Sequence, residues 1–507
     1  MTIEAESEEQ SQPFLAARRK LDEIVARLND GAMETLAVTE EYIRIEGLEL
    51  QRLVLQGRLD VLFERERAEL ALKRPPAGIR KRARSRVVET GFGTVSAKRH
   101  GLKESGKASV FPMDEQLNLP KERYSHPLRR RLAEEAVDGS FDRAVAQIER
   151  TTAGHVPKRQ AQQLTVRAAQ DVEAFYAERP ANDARGSNEA LLVMSADGCA
   201  IRMVPEGLRE ATRKEAEKEA QNEADTRAER GDPTAPARIK PHQTRRVVVT
   251  AVWEQQMHTR TAQDVVANLQ RASDDPEKRK KARGPRPQHK RLTASVEQDL
   301  RPRVVEMFDE ADRRDPERER EAIVLVDGDE HQTDVIKEQA TRRGRSFTIV
   351  LDLLHAMHYL WLAAKAVRGA TKKLGTVDEI VTRWAIMLLT TDPARVVATV
   401  RSTATRLQLR GAARKQLDSA ADYLLKRTPF IDYASFIAQG LPIATGIIEG
   451  ACRHLVRDRL DITGARWNVR VAEAVARLRA VRASGDLDDY WDFHQRKEAQ
   501  RNYARAA

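Results

Sequence analysis

The stretch 191-LLVMSADG-198 is an apolar run that ends in an acid followed by glycine, and 322-AIVLVDG-328 repeats the pattern later in the chain. Apolar runs of this length are typical of strands buried on both faces of a sheet. An Asp-Gly pair alone also marks a plain turn, so either copy by itself fits that interpretation. The repetition favours two buried strands that deliver Asp197 and Asp327 at their carboxyl ends.

More strands and a helix are expected around these two runs. Val247 to Trp253 has the apolar character of a buried strand, residues 293–312 have helical spacing, and 347-FTIVLD-352 ends in a further acid, Asp352. Strands separated by helices predict an α/β core with a mixed sheet. The order fits a ribonuclease-H-like fold over residues 188–358.

A helix after Asp352 carries two histidines, His355 and His358. They can share a helix face, but a metal site would need further ligands, so packed or hydrogen-bonded histidines are favoured. The patterns over residues 359–439 are helical throughout and predict an all-helical insertion in the core.

A basic helix is expected within 440-GLPIATGIIEGACRHLVRDRLDITGARW-467. Apolar residues recur there at helical spacing and predict one buried face: Ile448, Cys452, Leu455, Val456 and Leu460. Glu449 lies beside this face, and Arg453, Arg457 and Arg459 follow it on the same helix. On spacing alone Glu449 fits an ion pair with Arg453 as well as a functional carboxylate. A capping role fits only if Gly446 is the N-cap residue, because a Thr445 cap would place the capping acid one residue earlier.

The motif GIIEGACRHLVRDR, with Gly464 to Trp467 and the later LRAVRASGDLDDYW, resembles the C-terminal block of insertion-sequence transposases of the ISKra type, which are bacterial DDE enzymes. The resemblance implies that Glu449 is the third acid of a catalytic triad. It also covers the segment from Asp352 to His355, which lies near the active site in that family. Arg453 and Arg457 are expected to lie near the active site as well.

Three acids from distant parts of the chain, Asp197, Asp327 and Glu449, suit metal-dependent phosphodiester chemistry. Two divalent cations roughly 3.5–4 Å apart stabilise the attacking and leaving oxygens of such a reaction, and Mg²⁺ or Mn²⁺ prefers carboxylate oxygens. The resemblance implies that water cuts the DNA first and that the freed 3′-hydroxyl then attacks target DNA. We therefore expect a transposase that binds the terminal inverted repeats of its element. Two alternatives stay open, an inactive DNA-binding protein derived from a transposase and a metal-dependent nuclease without joining activity.

Residues 119–180 predict a helix-turn-helix domain. A short helix spans Phe141 to Ile148, a turn follows, and Pro157 begins a second helix whose buried side includes Leu164, Ala168, Val172 and Phe175. Five polar side chains near the start of this second helix are candidates for base and phosphate contacts: Lys158, Arg159, Gln162, Gln163 and Arg167. A plain three-helix bundle would show the same spacing, but this block also resembles the N-terminal region of ISKra-type transposases.

The remaining segments are assigned from composition and periodicity. Residues 1–13 predict a disordered acidic leader, and residues 14–80 predict helices broken near Gly31 and Gly47 that form either a packed hairpin or a dimerisation arm. The basic segment 73-KRPPAGIRKRARSR-86 is predicted to be a linker, which either lies along a DNA backbone or is solvated. The other predicted parts are a short β-hairpin within 81–118, a solvated helix and loop over 206–240, a basic linker around 273–291, the Glu-bearing part of the core over 440–483, and a polar tail over 484–507.

Composition sets the wider limits. The chain has 507 residues and a net charge of +11, which favours a phosphate-rich partner such as double-stranded DNA. Its two cysteines, Cys199 and Cys452, exclude a disulfide framework and a cysteine-based zinc site. The N-terminus lacks the apolar region of a signal peptide, and no run is long enough to span a membrane. We expect a cytoplasmic, nucleoid-associated protein that acts on DNA as a dimer or higher oligomer, without a membrane partner.

Overall fold

The computed structural model describes residues 12–31, 35–72, 79–180, 190–230, 243–269, 284–444 and 446–503. The chain divides into two compact units, Met1–Ala177 with Leu487–Ala507, and Glu178–Asp486. Most of the expected leader lies outside the described residues, as do residues 231–240 and 273–283 of the two charged stretches and Thr445. Among the described residues, no helix combines the length and apolar character needed to cross a membrane.

The first unit begins with two helices, α1 at Leu15–Asn29 and α2 at Leu36–Leu72. Gly31 has a φ of +63°, a left-handed conformation that suits glycine, and it follows the end of α1 as predicted. The predicted break near Gly47 is wrong, because α2 runs through it without interruption. One glycine costs a helix only about 1 kcal/mol, which the packing of so long a helix offsets.

A long hairpin follows, with β1 at Ile79–Thr90 paired antiparallel to β2 at Gly93–Glu104. The hairpin was predicted, but the prediction of a linker up to residue 86 is wrong, since β1 already begins at Ile79. Hydrogen bonds to β2 make this charged segment a strand. Apolar side chains of α2, of the hairpin and of the short helix after it form one core cluster: Leu59, Leu62, Val88, Val95, Ala97 and Met113.

Five short helices complete this part of the first unit: α3 Pro112–Gln116, α4 His126–Asp138, α5 Phe141–Thr151, α6 Lys158–Ala168 and α7 Val172–Ala177. The predicted second helix of the helix-turn-helix is therefore two helices, because the chain turns between Ala168 and Val172. The predicted tail is also a helix, Leu487–Tyr503. It docks through the Tyr490 hydroxyl, which donates to the carbonyl of Ala168, and through Glu498, which lies 2.7 Å from Arg129 Nη1.

The second unit is a mixed α/β structure. Its strands are β3 Leu191–Arg202, β4 Thr244–Gln255, β5 Gln288–Ser295, β6 Ala322–Val326 and β7 Thr348–Leu351. They form one sheet in the order β5-β4-β3-β6-β7. The three strands β3, β4 and β5 pair antiparallel, whereas β6 runs parallel to both β3 and β7. The expected α/β core with a mixed sheet is confirmed at this level.

The helices of this unit alternate with the strands and then continue without them. They are α8 Glu210–Arg230, α9 Ala262–Leu269, α10 Leu300–Arg314, α11 Glu330–Arg343, α12 Leu353–Ala370, α13 Val377–Thr390, α14 Pro393–Arg406, α15 Gly411–Lys426, α16 Tyr433–Ala438, α17 Gly446–Ala451, α18 Asp458–Leu460 and α19 Val469–Ser484. Described residues 359–439 contain no strand, as predicted for the insertion. The helix predicted over 293–312 begins later, at Leu300, because residues up to Ser295 pair with β4 as an edge strand.

Candidate active site

Three acids, Asp197, Asp327 and Asp352, lie side by side just past the point where the parallel pairing of β3, β6 and β7 ends. The register pairs Ser195 with Leu325, and continuing it by two residues brings Asp197 beside Asp327. The register of the next pair matches Val326 with Leu351, so Asp352 follows as the neighbour of Asp327. Parallel strands lie about 4.8 Å apart, and residues in register point to the same face. The sheet therefore forms a row of carboxyl groups along one edge.

Asp197 lies within β3 and not at its end, so the prediction that this strand stops at the acid is wrong. The strand continues to Arg202 through pairing with β4, while its pairing with β6 ends at Ser195. Asp197 is half-buried because its parallel neighbour stops just before it. Its Oδ1 accepts the N–H of Gly198 at 2.6 Å, and its Oδ2 accepts the Cys452 thiol at 3.3 Å.

Asp327 directly follows β6 in a turn whose shape needs glycine. Gly328 has a φ of +90°, and an added Cβ would lie 2.6 Å from the Tyr423 hydroxyl and 2.5 Å from Nε of Arg427. The N–H of Asp329 donates to Asp327 Oδ1 at 2.8 Å, and the Tyr423 hydroxyl donates to the Asp327 carbonyl at 3.0 Å. Hydrogen bonds to both its side chain and its carbonyl thus fix Asp327, whose carboxylate is half-buried.

Asp352 is the most enclosed acid of the row, with no exposed surface. Its Oδ1 accepts the N–H of Leu354 at 2.9 Å and caps α12. Its Oδ2 lies 3.4 Å from Nδ1 of His355. His355 is thus hydrogen-bonded, as predicted, while His358 is exposed.

Glu449 lies on α17, which continues as a π-helical segment, Cys452–Arg457, and then as α18. The predicted buried face is confirmed, since all five of its apolar residues are at most 3% exposed. This face packs on β3 and carries the Cys452 thiol that contacts Asp197. Glu449 itself is exposed, one turn before Cys452. A wider helical turn of the π type often occurs at functional sites.

The arginines after Glu449 differ in environment. Arg453 is exposed and lies 3.6 Å from Asp458, so the alternative ion pair with Glu449 is not formed. Arg459 is buried and stacks on Trp467 with 4.8 Å between its guanidinium and the ring centre. Burial raises the pKa of Glu449, and the charge of exposed Arg457 partly opposes that rise. Of the three, Arg457 is therefore the cation that acts on the candidate acid.

The charges of these acids shift one another's pKa values. Burial raises the pKa of Asp327, and the neighbouring Asp197 raises it further. Burial also raises the pKa of Glu449, with additional contributions from Asp352 and Asp197. The hydrogen bond to Asp352 raises the pKa of His355. Negative charges at one sheet edge repel one another, and a bound cation would reduce that repulsion.

The donor chemistry of this edge fits Mg²⁺ or Mn²⁺, since its side chains offer carboxylate oxygens. In the part of the chain that the structure describes, no three acidic, histidine or cysteine side chains form a group ready to hold a metal ion. The three predicted acids are brought to one side of the sheet without closing around a common point.

The candidate DNA-contacting residues lie on α6 in the first unit. Lys158, Arg159 and Gln163 are exposed, while Gln162 and Arg167 are partly buried. Lys158 lies 2.7 Å from Asp142 of α5, and Arg167 forms an ion pair with Glu122. Arg159 and Gln163 are therefore the more available side chains of this set.

Sequence patterns missed two features of the site. Cys452 was assigned only to the buried face, and its contact with Asp197 spans 255 positions in sequence. The helical pattern over residues 359–439 includes Tyr423 and Arg427 but does not indicate that Arg427 Nε donates to the Gly328 carbonyl at 2.9 Å. The helical spacing around these residues gives no signal for contacts made so far along the chain.

Comparison of the chain with known protein families finds no family model that matches it, and comparison with curated proteins finds no match either.

Proposed function

We propose that this protein is a DDE transposase of a bacterial insertion sequence, which binds the element's terminal inverted repeats and catalyses metal-dependent DNA cleavage and strand transfer. The observation that carries the proposal is that acids from separate parts of the chain lie on one side of the sheet, near enough to shift one another's pKa. The register of β3 with β6, continued by two residues, brings Asp197 beside Asp327, and the helix of Glu449 packs on the same strand as Asp197. Acids separated by more than a hundred residues have no reason to meet for folding alone, since they repel one another.

The sheet supports a ribonuclease-H-like core. Three antiparallel strands precede two parallel ones, and the acids leave the central strand β3 and its parallel neighbour β6. In open α/β sheets, functional groups collect beyond the carboxyl ends of parallel strands. The helical insertion between β7 and the Glu449 helix fits the same core without interrupting the sheet.

The chain's own residues would divide the work as follows. Asp197, Asp327 and Glu449 would hold Mg²⁺ or Mn²⁺, and Asp352 would fix the start of α12 and the orientation of His355. When bound, such ions supply positive charge to the phosphate and lower the pKa of an attacking water or hydroxyl. Tyr423 keeps the Asp327 turn in place through its backbone hydrogen bond.

Recognition of DNA is assigned to the first unit. α6 begins with exposed polar side chains on the far side from buried Ala161, Leu164 and Ala168, as a recognition helix requires. Arg159 suits guanine or phosphate, and Gln163 suits adenine. We assign sequence-specific contacts to these two residues first.

Self-association is part of the same proposal, because two element ends must be held together. The first unit carries exposed apolar side chains on α1 and α2, among them Leu21 at 48%, Leu36 at 74% and Val38 at 54% exposure. Apolar surface of this kind favours contact with a second copy. Sedimentation of the protein with and without end DNA measures the number of subunits.

The test supplies the protein in cells with a marker flanked by the gene's own two ends. It compares the wild type with Asp327→Asn, which keeps the side chain's shape but removes the charge that a metal needs. Asp329→Asn is the matched control, because this residue caps α11 by accepting the N–H of Gln332, and asparagine caps equally well.

The expected result is that wild type and Asp329→Asn move the marker, whereas Asp327→Asn binds the ends without moving it. Cleavage without joining by the wild type would identify a nuclease, and binding without either would identify an inactive DNA-binding protein. Equal movement by wild type and Asp327→Asn would remove Asp327 from the triad, with Asp352 as the next candidate.

A further inference from the structure

The open end of the hairpin is a strongly positive surface of the first unit. Six consecutive residues of β1, from Arg80 to Ser85, are exposed, so both faces of the strand meet solvent there. Four of the six are cations: Arg80, Lys81, Arg82 and Arg84. We call these four residues the β1 cluster. Within the described residues, none of the four forms an ion pair.

The cluster has an electrostatic cost within the hairpin itself. Arg80 lies directly opposite Lys103, and Arg84 lies directly opposite Arg99. Like charges facing each other across two strands destabilise a hairpin. Arg99 is buried and compensated by Asp114 at 2.7 Å, but Lys103 is exposed and has no acidic partner among the described residues. A polyanion bound along β1 would supply the missing negative charge.

The strand also has a free edge beside the cluster. The hairpin is a sheet of two strands, and β2, not β1, packs against α2. The outer edge of β1 is bridged at Glu89 to Tyr124, but no described residue pairs with it from Arg80 to Ser85, so the strand offers backbone N–H groups beside its cations there. A two-stranded ribbon has the width to enter the major groove of B-form DNA, and basic side chains on it reach the phosphates on either side.

The other end of the hairpin is attached close to the candidate recognition helix. Glu89 accepts the N–H of His155 at 3.0 Å, and α6 begins three residues later at Lys158. From Glu89 back to Arg80 the strand covers roughly 30 Å at about 3.3 Å per residue. That is close to one turn of B-form DNA, about 34 Å, so one unit could contact a duplex at two points a turn apart.

We propose that the β1 cluster is a second DNA-binding surface, which contacts the phosphates of duplex DNA independently of base sequence and about one helical turn from the site read by α6. The proposal rests on the DNA-binding function proposed above. It adds a surface that fixes position along the duplex, whereas α6 fixes sequence.

The experiment measures binding of the full chain to labelled duplex DNA by fluorescence anisotropy, in EDTA so that no cleavage occurs. The probes are one DNA duplex with the element's end, one unrelated DNA duplex and one RNA duplex, all of equal length, over a range of salt concentrations. The variant replaces all four residues of the β1 cluster with alanine. The matched control replaces four other exposed arginines of the same unit, none of them in an ion pair within the described residues: Arg18, Arg19, Arg58 and Arg65.

The β1 variant is expected to bind both DNA duplexes more weakly by the same factor, roughly 100-fold at about 0.2 M salt. The slope of log binding constant against log salt concentration should become smaller by about 3–4, since each lost phosphate contact lowers it by about 0.9. The control should change the slope by less than about 1. Folding is not expected to suffer, because the substitutions remove like-charge pairs, and thermal unfolding checks this. Arg159→Ala should instead alter the preference for the element's end.

Three results would overturn the proposal: an unchanged slope for the β1 variant, an equal loss in the control, or an equal loss with duplex RNA, whose narrow major groove excludes a ribbon. If the wild type binds no DNA at all, it is the proposed function that fails. If it binds and the β1 variant binds equally well, this inference alone fails.

Discussion

Asp327→Asn should make the metal-free protein more stable while removing its response to Mg²⁺. Adjacent parallel strands place the Asp327 and Asp197 carboxylates about 5 Å apart, which at an effective dielectric constant of 20 gives roughly 3 kcal/mol of repulsion. Both groups are half-buried, so solvent screens much of this, and we expect a gain of about 1 kcal/mol in the free energy of unfolding. This corresponds to a rise of about 2–4 °C in the unfolding temperature.

The same residue makes stability depend on pH, with a defined sign. The pKa of Asp327 is raised in the folded protein. Its contribution is therefore fully present below the unfolded pKa of about 4 and is lost as pH rises through the folded value. Metal-free wild type should lose stability over this range more steeply than Asp327→Asn. Because protons compete with the metal for Asp327 and Glu449, the affinity for Mg²⁺ should rise with pH.

Calorimetry or thermal fluorescence measures both effects, with EDTA in one series and increasing Mg²⁺ in the other. Wild type should gain about 2.7 kcal/mol when Mg²⁺ reaches about 100 times its dissociation constant, and Asp327→Asn should gain little. Asp329→Asn is the control and should respond as wild type does. A lower unfolding temperature for Asp327→Asn in EDTA, or an unchanged response to Mg²⁺, would refute the idea of an electrostatically strained metal site.

Three further substitutions probe other parts of the molecule. Glu449→Gln should bind end DNA as wild type does but give no strand-transfer product, as measured by gel assays of joined DNA. Appreciable joining would exclude Glu449 from the triad. Tyr423→Phe removes the hydrogen bond to the Asp327 carbonyl and should cost about 1 kcal/mol of stability. It should lower kcat more than it raises KM for DNA, because the substitution displaces the Asp327 turn. A change in KM alone would contradict a positioning role. Glu498→Gln removes the nearer of two acids beside buried Arg129, at 2.7 Å, and leaves Glu122 at 3.7 Å. It should cost about 1.5–3 kcal/mol, measured as a lower unfolding temperature of the first unit with the Mg²⁺ response retained. An unchanged unfolding temperature would show that the C-terminal helix docks without this pair.

Local patterns in the sequence were sufficient for much of the fold. The apolar runs around Met194 and Val324 become strands buried on both faces, because strands in the middle of a covered sheet need apolar side chains on each side. The spacing from Ile448 to Leu460 predicts the buried face of the Glu449 helix for a similar reason, since one side of a packed helix must be apolar. The helical insertion follows from the same periodicity.

Tertiary structure decided where these elements meet and where several of them end. The charged segment from Ile79 and the edge strand β5 lack a clear strand pattern, and pairing with β2 and β4 makes them strands. Asp197 lies inside β3 because β4 continues past the point where β6 stops.

The sequence by itself determined which acids follow an apolar run that forms a buried strand, because a strand buried on both faces needs apolar side chains and such a run is visible in the local pattern. Only the sheet register decided that Asp197 and Asp327 stand side by side, and only helix packing brought Cys452 against Asp197. Register and packing arise from contacts between residues more than a hundred positions apart, and no local periodicity records them.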